Sequence, residues 1–263
     1  MRKYWAIFKA NWQASVEYRS EFIAHIIRGL ITFVVLFFIF KAVFLQTNNF
    51  AGYTFSSIFT YLVMVRILHF STRGNTARLI ADEIRQGIIS FSFLKPINYF
   101  KYQFSLFLAD RLFEIFLRIF LILLFLFLFP SYFSFPSLPV LLLFFLFLLG
   151  ALVFNFLFNL LLAGSAFWVT DIRLFSTFVG LTTGFFAGEL IPLDTLPPIL
   201  KKIGFFLPFQ YTLFFPIKIY QESLGYKEIL RGILVFLLWL GLIIWLVRFL
   251  WQKGVKRYEA VGQ

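Results

Sequence analysis

The chain has 263 residues, is 61% hydrophobic and only 14% charged, and carries a formal charge of +12. An average soluble domain is about half apolar and about a quarter charged, so this composition excludes a water-soluble globule and a disordered chain alike. Without cysteine there can be no disulfide, thiolate metal site or cysteine nucleophile, and two histidines, His25 and His69, are too few for a histidine-rich metal centre. The reading is an all-α integral membrane protein.

From the N-terminus, residues 2–20 read as an amphipathic helix. Trp5, Phe8, Trp12 and Val16 recur at helical spacing, while Arg2, Lys3, Lys9, Gln13 and Glu17 occupy the other faces. Such a helix lies in the membrane interface with its aromatic side in lipid. Nothing before residue 22 has the apolar core of a signal peptide, so none is expected. A spanning helix needs about 20 mostly apolar residues. Six segments qualify: 22–44, 55–70, 112–129, 140–169, 174–191 and 229–250. Their Leu and Phe richness argues for helices, since barrel strands alternate polar and apolar residues.

Orientation follows from the cations. The stretches 1–21 and 71–111, Arg173 and the tail from Arg248 hold 15 Lys and Arg, against 6 on the opposite side (Lys41, Lys201, Lys202, Lys218, Lys227, Arg231). The positive-inside rule then puts both termini and the 71–111 connection in the cytoplasm of a multi-pass plasma-membrane protein. Arg28, Arg66 and Arg118 fall near the cytoplasmic ends of their spans, where they are expected to snorkel. Glu114 and Arg118, with Asp110 one turn earlier, are expected to form an interfacial ion-pair network.

Three segments are not simple spans. In the cytoplasmic connection, Arg73-Gly74-Asn75 signals a turn with Asn75 as helix cap. A helix over 76–86 follows, closed by Gly87. Asp82 and Glu83 lie in its last half, against the helix dipole, which points to a partner supplying cations; an Arg78–Asp82 pair is the plainer alternative. The apolar run after Gly87 ends at Pro96, leaving a platform suited to docking. In the fifth span, Gly180, Gly184 and Gly188 recur every four residues and make a smooth face for close packing, within the chain or between subunits. Residues 191–227 are broken by Pro192, Pro197, Pro198, Pro208 and Pro216 yet stay apolar. Short helices dipping into the outer leaflet fit best.

Two motifs within these segments carry a family resemblance. Glu83-Ile84-Arg85-Gln86-Gly87 followed by Phe93-Leu94-Lys95-Pro96, and Gly188-Glu189-Leu190-Ile191-Pro192-Leu193-Asp194-Thr195-Leu196-Pro197 followed by Leu207-Pro208-Phe209, resemble the permease subunit of a type-2 ATP-binding-cassette (ABC) exporter of the bacterial six-helix kind. The resemblance implies a connecting helix over 1–21 and a permease domain over 22–263. It implies a coupling helix over about 76–87, with Asp82, Glu83, Ile84, Arg85, Gly87, Leu94, Lys95 and Pro96 meeting an ATPase. Spans one and five would form a dimer interface using Gly180, Gly184 and Gly188. Re-entrant helices over about 191–227, with Pro192, Leu193, Pro197, Pro198, Pro208 and Phe209, would close an external gate. His25 and Arg28 depart from the pattern by making the first turns of span one polar.

The chain has no G-x-x-x-x-G-K-[ST], so it is expected to bind no cofactor itself; ATP and Mg belong to a separate ATPase. Expected partners are that ATPase, a second permease subunit (identical or related) and membrane lipids, but no nucleic acid. Candidate pathway groups are Asn155 and Asn159, one turn apart, and Thr182, Thr183 and Glu189; interhelical hydrogen bonding is the favoured role for the Asn pair. The apolar lining suggests a hydrophobic or amphipathic substrate. A secondary transporter or channel is the main alternative, and an intramembrane lipid-modifying enzyme the lesser one, since no Ser/His/Asp or metal-ligand spacing appears.

Overall fold

A computed structural model describes residues 2–17, 19–69, 76–130, 136–169 and 172–258. The expected turn at 73–75 and the Asn75 cap lie outside the described residues, as does the side chain of His25. The described chain is 84% helical and has no strand. Eleven described helices follow in order: α1 (Arg2–Glu17), α2 (Arg19–Phe44), α3 (Phe55–Leu68), α4 (Thr76–Arg85), α5 (Ile88–Leu94), α6 (Tyr99–Leu128), α7 (Leu138–Gly164), α8 (Arg173–Ala187), α9 (Pro198–Phe206), α10 (Phe214–Tyr220) and α11 (Tyr226–Arg257).

Each of the six apolar segments contains a helix, but the lengths of those helices divide them. Ile26–Phe44, Leu138–Phe167 and Tyr226–Arg257 are long and apolar enough to cross a bilayer. The 14 residues of α3 and the 15 of α8 reach only about 21–23 Å at 1.5 Å per residue. The shortness of α3 goes with its place: every residue from Ile58 to Leu68 is buried. It is started by a capping box, in which Thr54 Oγ1 accepts from the Ser57 amide and Ser57 Oγ accepts from the Thr54 amide. Around it, Phe33 and Phe37 of α2 pack on Phe59 and Phe55, and Phe125 of α6 packs on Phe33 in turn. The outward face of α2 (Ile27, Ile31, Val35, Phe38) is exposed apolar surface, which suits lipid or a second subunit and not water.

A second packing unit joins α7 to α11, which run parallel, early residues of one meeting early residues of the other. Phe147 stacks on Phe236, and Trp251 Nε1 donates to Leu160 O. The helices approach closely because glycine stands where a side chain would not fit: a Cβ on Gly150 would crowd the Phe236 ring, and one on Gly164 would crowd Leu250 and Trp251. These glycines lack the four-residue spacing that drew attention to span five, so tertiary packing alone reveals them.

In α1, Tyr4, Ile7, Phe8, Asn11, Trp12 and Ser15 turn inward onto the first half of α6. Asn11 Nδ2 and Ser15 Oγ both donate to Asp110 Oδ1, and Asn98 N donates to Tyr4 Oη. Burial, outweighing these bonds and the nearby Arg111, raises the Asp110 carboxyl above its ordinary range. The helix therefore packs partly through its polar side, leaving Trp5 and Val16 outward. The expected Asp110–Glu114–Arg118 network is corrected: Asp110 serves α1, Arg111 pairs with Glu114 at 3.0 Å, and Arg118 turns inward.

Candidate functional site: a platform, a hairpin and the helices between them

At one end of the bundle, α4 has a strongly two-sided surface. Thr76, Ala77, Ile80, Ala81 and Ile84 are buried against α7 and α8, while Arg78, Leu79 and Arg85 are exposed. Ile84 therefore faces its own bundle. Glu83 is held from within, accepting from Tyr99 Oη at 2.7 Å and from Gln103 Nε2. Burial first, then the Glu83 carboxylate, raises the Tyr99 phenol, so it stays a donor. Asp82 lies 3.6 Å from Arg85, at the surface. The alternative Arg78–Asp82 pair does not form, because Arg78 reaches across to Ser176 Oγ and Thr177 Oγ1 of α8.

Gly87 follows in the left-handed region (φ +78°), which turns the chain from α4 into α5. Leu79, Ile88, Phe91 and Leu94 are then exposed together with Lys95 and Pro96. The result is an apolar surface with a charged margin at this end.

Asn155 and Asn159 on α7 are buried and bonded to each other, Asn159 Nδ2 donating to Asn155 Oδ1 at 3.1 Å. Asn159 Oδ1 also accepts from the Ala77 amide at 3.2 Å. That amide is one of the unpaired N–H groups every helix carries in its first turn. A side chain from α7 thus caps α4, the interhelical role favoured for this pair. Thr182 and Thr183 bond back to carbonyls of their own helix.

The proline-broken stretch enters the bundle from the opposite end as a hairpin of α9 and α10. Its tip reaches far along α7. Phe206 meets Trp239 inside α11, and Phe209 meets Phe158 at 5.4 Å, about 30 Å along α7 from Leu138. Pro208 and all of Gln210–Ile217 are buried, as are Pro192 and Leu193, while Pro197 and Pro198 are exposed. Proline at the first positions of α9 and in the tip fits because those amides have no helical partner. Near the hairpin's outer end, Asp194 accepts from Tyr53 Oη at 2.9 Å and pairs with Lys218 at 3.2 Å. Burial and this carboxylate raise the Tyr53 phenol well above its ordinary value.

Gly188 does not continue the helical face of Gly180 and Gly184. It ends α8 with φ +84°, and a Cβ there would collide with Tyr61 Oη, which donates to Gly188 O at 2.7 Å. Gly184 is buried, and Gly180 has open space beside it. Beyond the turn, Glu189 is buried in a charged group the sequence did not suggest. Its Oε1 lies 3.2 Å from His69 Nε2, its carbonyl accepts from Arg66 Nη2, and Arg118 Nη1 donates to Arg66 O. Arg66 and Arg118 are buried, so the expected snorkelling to the interface is corrected. These side chains come from three spans distant in sequence, and no local pattern brings them together. Among the described residues no group of His, Asp and Glu is placed to hold a metal.

The family model described as ABC-2 family transporter protein matches residues 30–262. No curated protein matches the chain.

Proposed function

The chain belongs to the ABC-2 transporter family, and from that premise we propose that it is the permease subunit of an ATP-driven exporter, carrying a hydrophobic or amphipathic substrate outward across the plasma membrane. In this reading there are six spans, with α3 and α8 completed by neighbouring structure. Both termini, α4 and α5 face the cytoplasm. ATP and Mg are held by a separate ATPase, and a second permease subunit, identical or related, completes the pathway along α2 and α8.

The observation that carries this reading is the placement of α4 between an exposed apolar platform and two helices that lead to the hairpin. An ATPase closing on ATP would press on Leu79, Phe91 and Leu94. The displacement would pass to α7 through the Asn159–Ala77 bond and to α8 through Arg78. Next to Asn159, Phe158 bears on Phe209 at the hairpin tip, and the far end of α8 bears on Tyr61. A pathway driven from 1:99 to 99:1 needs about 5.5 kcal/mol of differential binding, which nucleotide-driven closure must supply.

One observation favours a secondary transporter instead: broken helices reach mid-bundle beside the buried Glu189 and Arg66 and the half-buried His69. The energy source separates the two. Transport by vesicles holding the chain and its co-purifying ATPase should require internal ATP and persist with all ion gradients collapsed. Transport that follows an ion gradient without ATP would overturn the exporter reading.

A further inference from the structure

A cleft of about 530 Å³ lies between α1 and α6, lined by Phe8, Lys9, Trp12, Gln13 and Leu112. Its walls are almost wholly apolar, and its polar atoms come from Lys9 and Gln13. We propose that this cleft binds one anionic phospholipid, its phosphate held by Lys9 and its acyl chain laid along α6.

The walls are built for such a ligand. Trp5, Phe8 and Trp12 form a stacked ladder, with centroids 5.1 and 6.1 Å apart. Trp12 is fixed edge-on against Phe113 at 5.5 Å. Behind the cleft, Leu112, Phe116, Ile119, Leu123 and Phe127 are all exposed and follow helical spacing along one face of α6. From Leu112 to Ile119 that track runs about 10 Å, within the roughly 15 Å depth of one leaflet's hydrocarbon. A chain entering at Leu112 therefore finds apolar surface continuously as it descends.

Charge selects the headgroup. The described part of α1 carries Arg2, Lys3 and Lys9 against a single acid, Glu17. Lys3 is engaged with Pro96 O at 2.7 Å. Lys9 is exposed, stacked 5.5 Å over the Trp5 ring at the margin of the cleft. An ammonium held there, beside the Gln13 amide, offers donors to a phosphate diester; its charge attracts a headgroup of net negative charge and repels the choline cation of a zwitterionic one. The orientation proposed above places this end at the anionic cytoplasmic leaflet, where each cation near the surface favours binding. Bulk lipid would coat the exposed track in any case. A cleft with a cation at its mouth makes a site for one molecule.

Native mass spectrometry of the full chain in detergent, titrated separately with dioleoyl phosphatidylglycerol and dioleoyl phosphatidylcholine, tests this. The first phosphatidylglycerol is expected to be retained in preference to phosphatidylcholine. Lys9→Gln should weaken that retention about five-fold and Lys9→Glu about thirty-fold. Leu112→Trp, which fills the cleft, should abolish it, while Lys202→Glu, an exposed cation on α9, should leave it unchanged. Equal retention of the two lipids, retention indifferent to Lys9→Glu and Leu112→Trp, or equal loss in Lys202→Glu would each overturn the site. Since neither ATPase nor transport enters the measurement, such a result leaves the exporter reading standing.

Discussion

Replacing Leu94 by serine removes the most exposed apolar side chain of the α4–α5 platform. Leu79, Phe91 and Leu94 retain 61%, 68% and 81% of their accessible surface. Taking about 2 kcal/mol for fully burying such a side chain, covering what remains exposed would contribute about 1.2, 1.4 and 1.6 kcal/mol respectively. Each 1.4 kcal/mol is about tenfold in affinity. Leu79→Ser, Phe91→Ser and Leu94→Ser should therefore each weaken the ATPase subunit's Kd about tenfold, with the thermal midpoint of the permease unchanged. Ile84→Ala should do the reverse. At 3% exposure it is core, so the change costs about 2–4 kcal/mol of stability and leaves the affinity of the surviving folded protein near wild type. Titrating the ATPase subunit against the chain in nanodiscs gives the Kd, and unfolding in the same preparation gives the stability. If the three serine variants all stay within two-fold of wild type, or Ile84→Ala lowers affinity without lowering stability, the assignment of inner and outer faces to α4 is refuted.

The cap from α7 to α4 predicts that Asn159→Ala lowers stability by about 1 kcal/mol, or about 2–4 °C in Tm, and speeds hydrogen exchange of the Ala77 amide; unchanged exchange at that amide would exclude the acceptor role. Gly188→Ala should cost at least about 1–2 kcal/mol from its left-handed backbone alone. Combined with Tyr61→Phe, which removes the colliding oxygen, the loss should fall below the sum of the two single losses by about 1 kcal/mol; simple additivity would contradict the contact. Lys218→Met should loosen the Asp194 turn and raise hydrogen exchange over residues 193–201, while the charge-swapped pair Asp194→Lys with Lys218→Asp restores protection. Unchanged exchange in Lys218→Met would show that the pair holds nothing.

Periodicity and composition made the helices legible, because an apolar run of known length has few alternatives in a bilayer. The positions of the six apolar segments, the break at Gly87 and the proline-broken stretch all correspond to helices or turns. Local pattern said less about partners. Glu83, read as placed against its helix dipole for an outside partner, is satisfied by Tyr99 and Gln103 of α6. Arg66 and Arg118, read as snorkelling, are drawn inward by backbone carbonyls on other segments. In each case the deciding atom lies 16 to 123 residues away, beyond the reach of any spacing rule.

What the amino-acid order determined by itself is the solvent and the alphabet of elements: a chain with this little charge must live in lipid, and lipid admits these runs only as helices. Depth and company were decided by the tertiary structure. The α9–α10 hairpin could sink to Phe158 only because α7 and α11 present aromatic rings along its path and cover its broken backbone. The central place of α3 and the junction of Asn159 with α4 likewise exist only where distant helices meet, since a buried polar group takes whichever partner the fold brings within hydrogen-bonding distance.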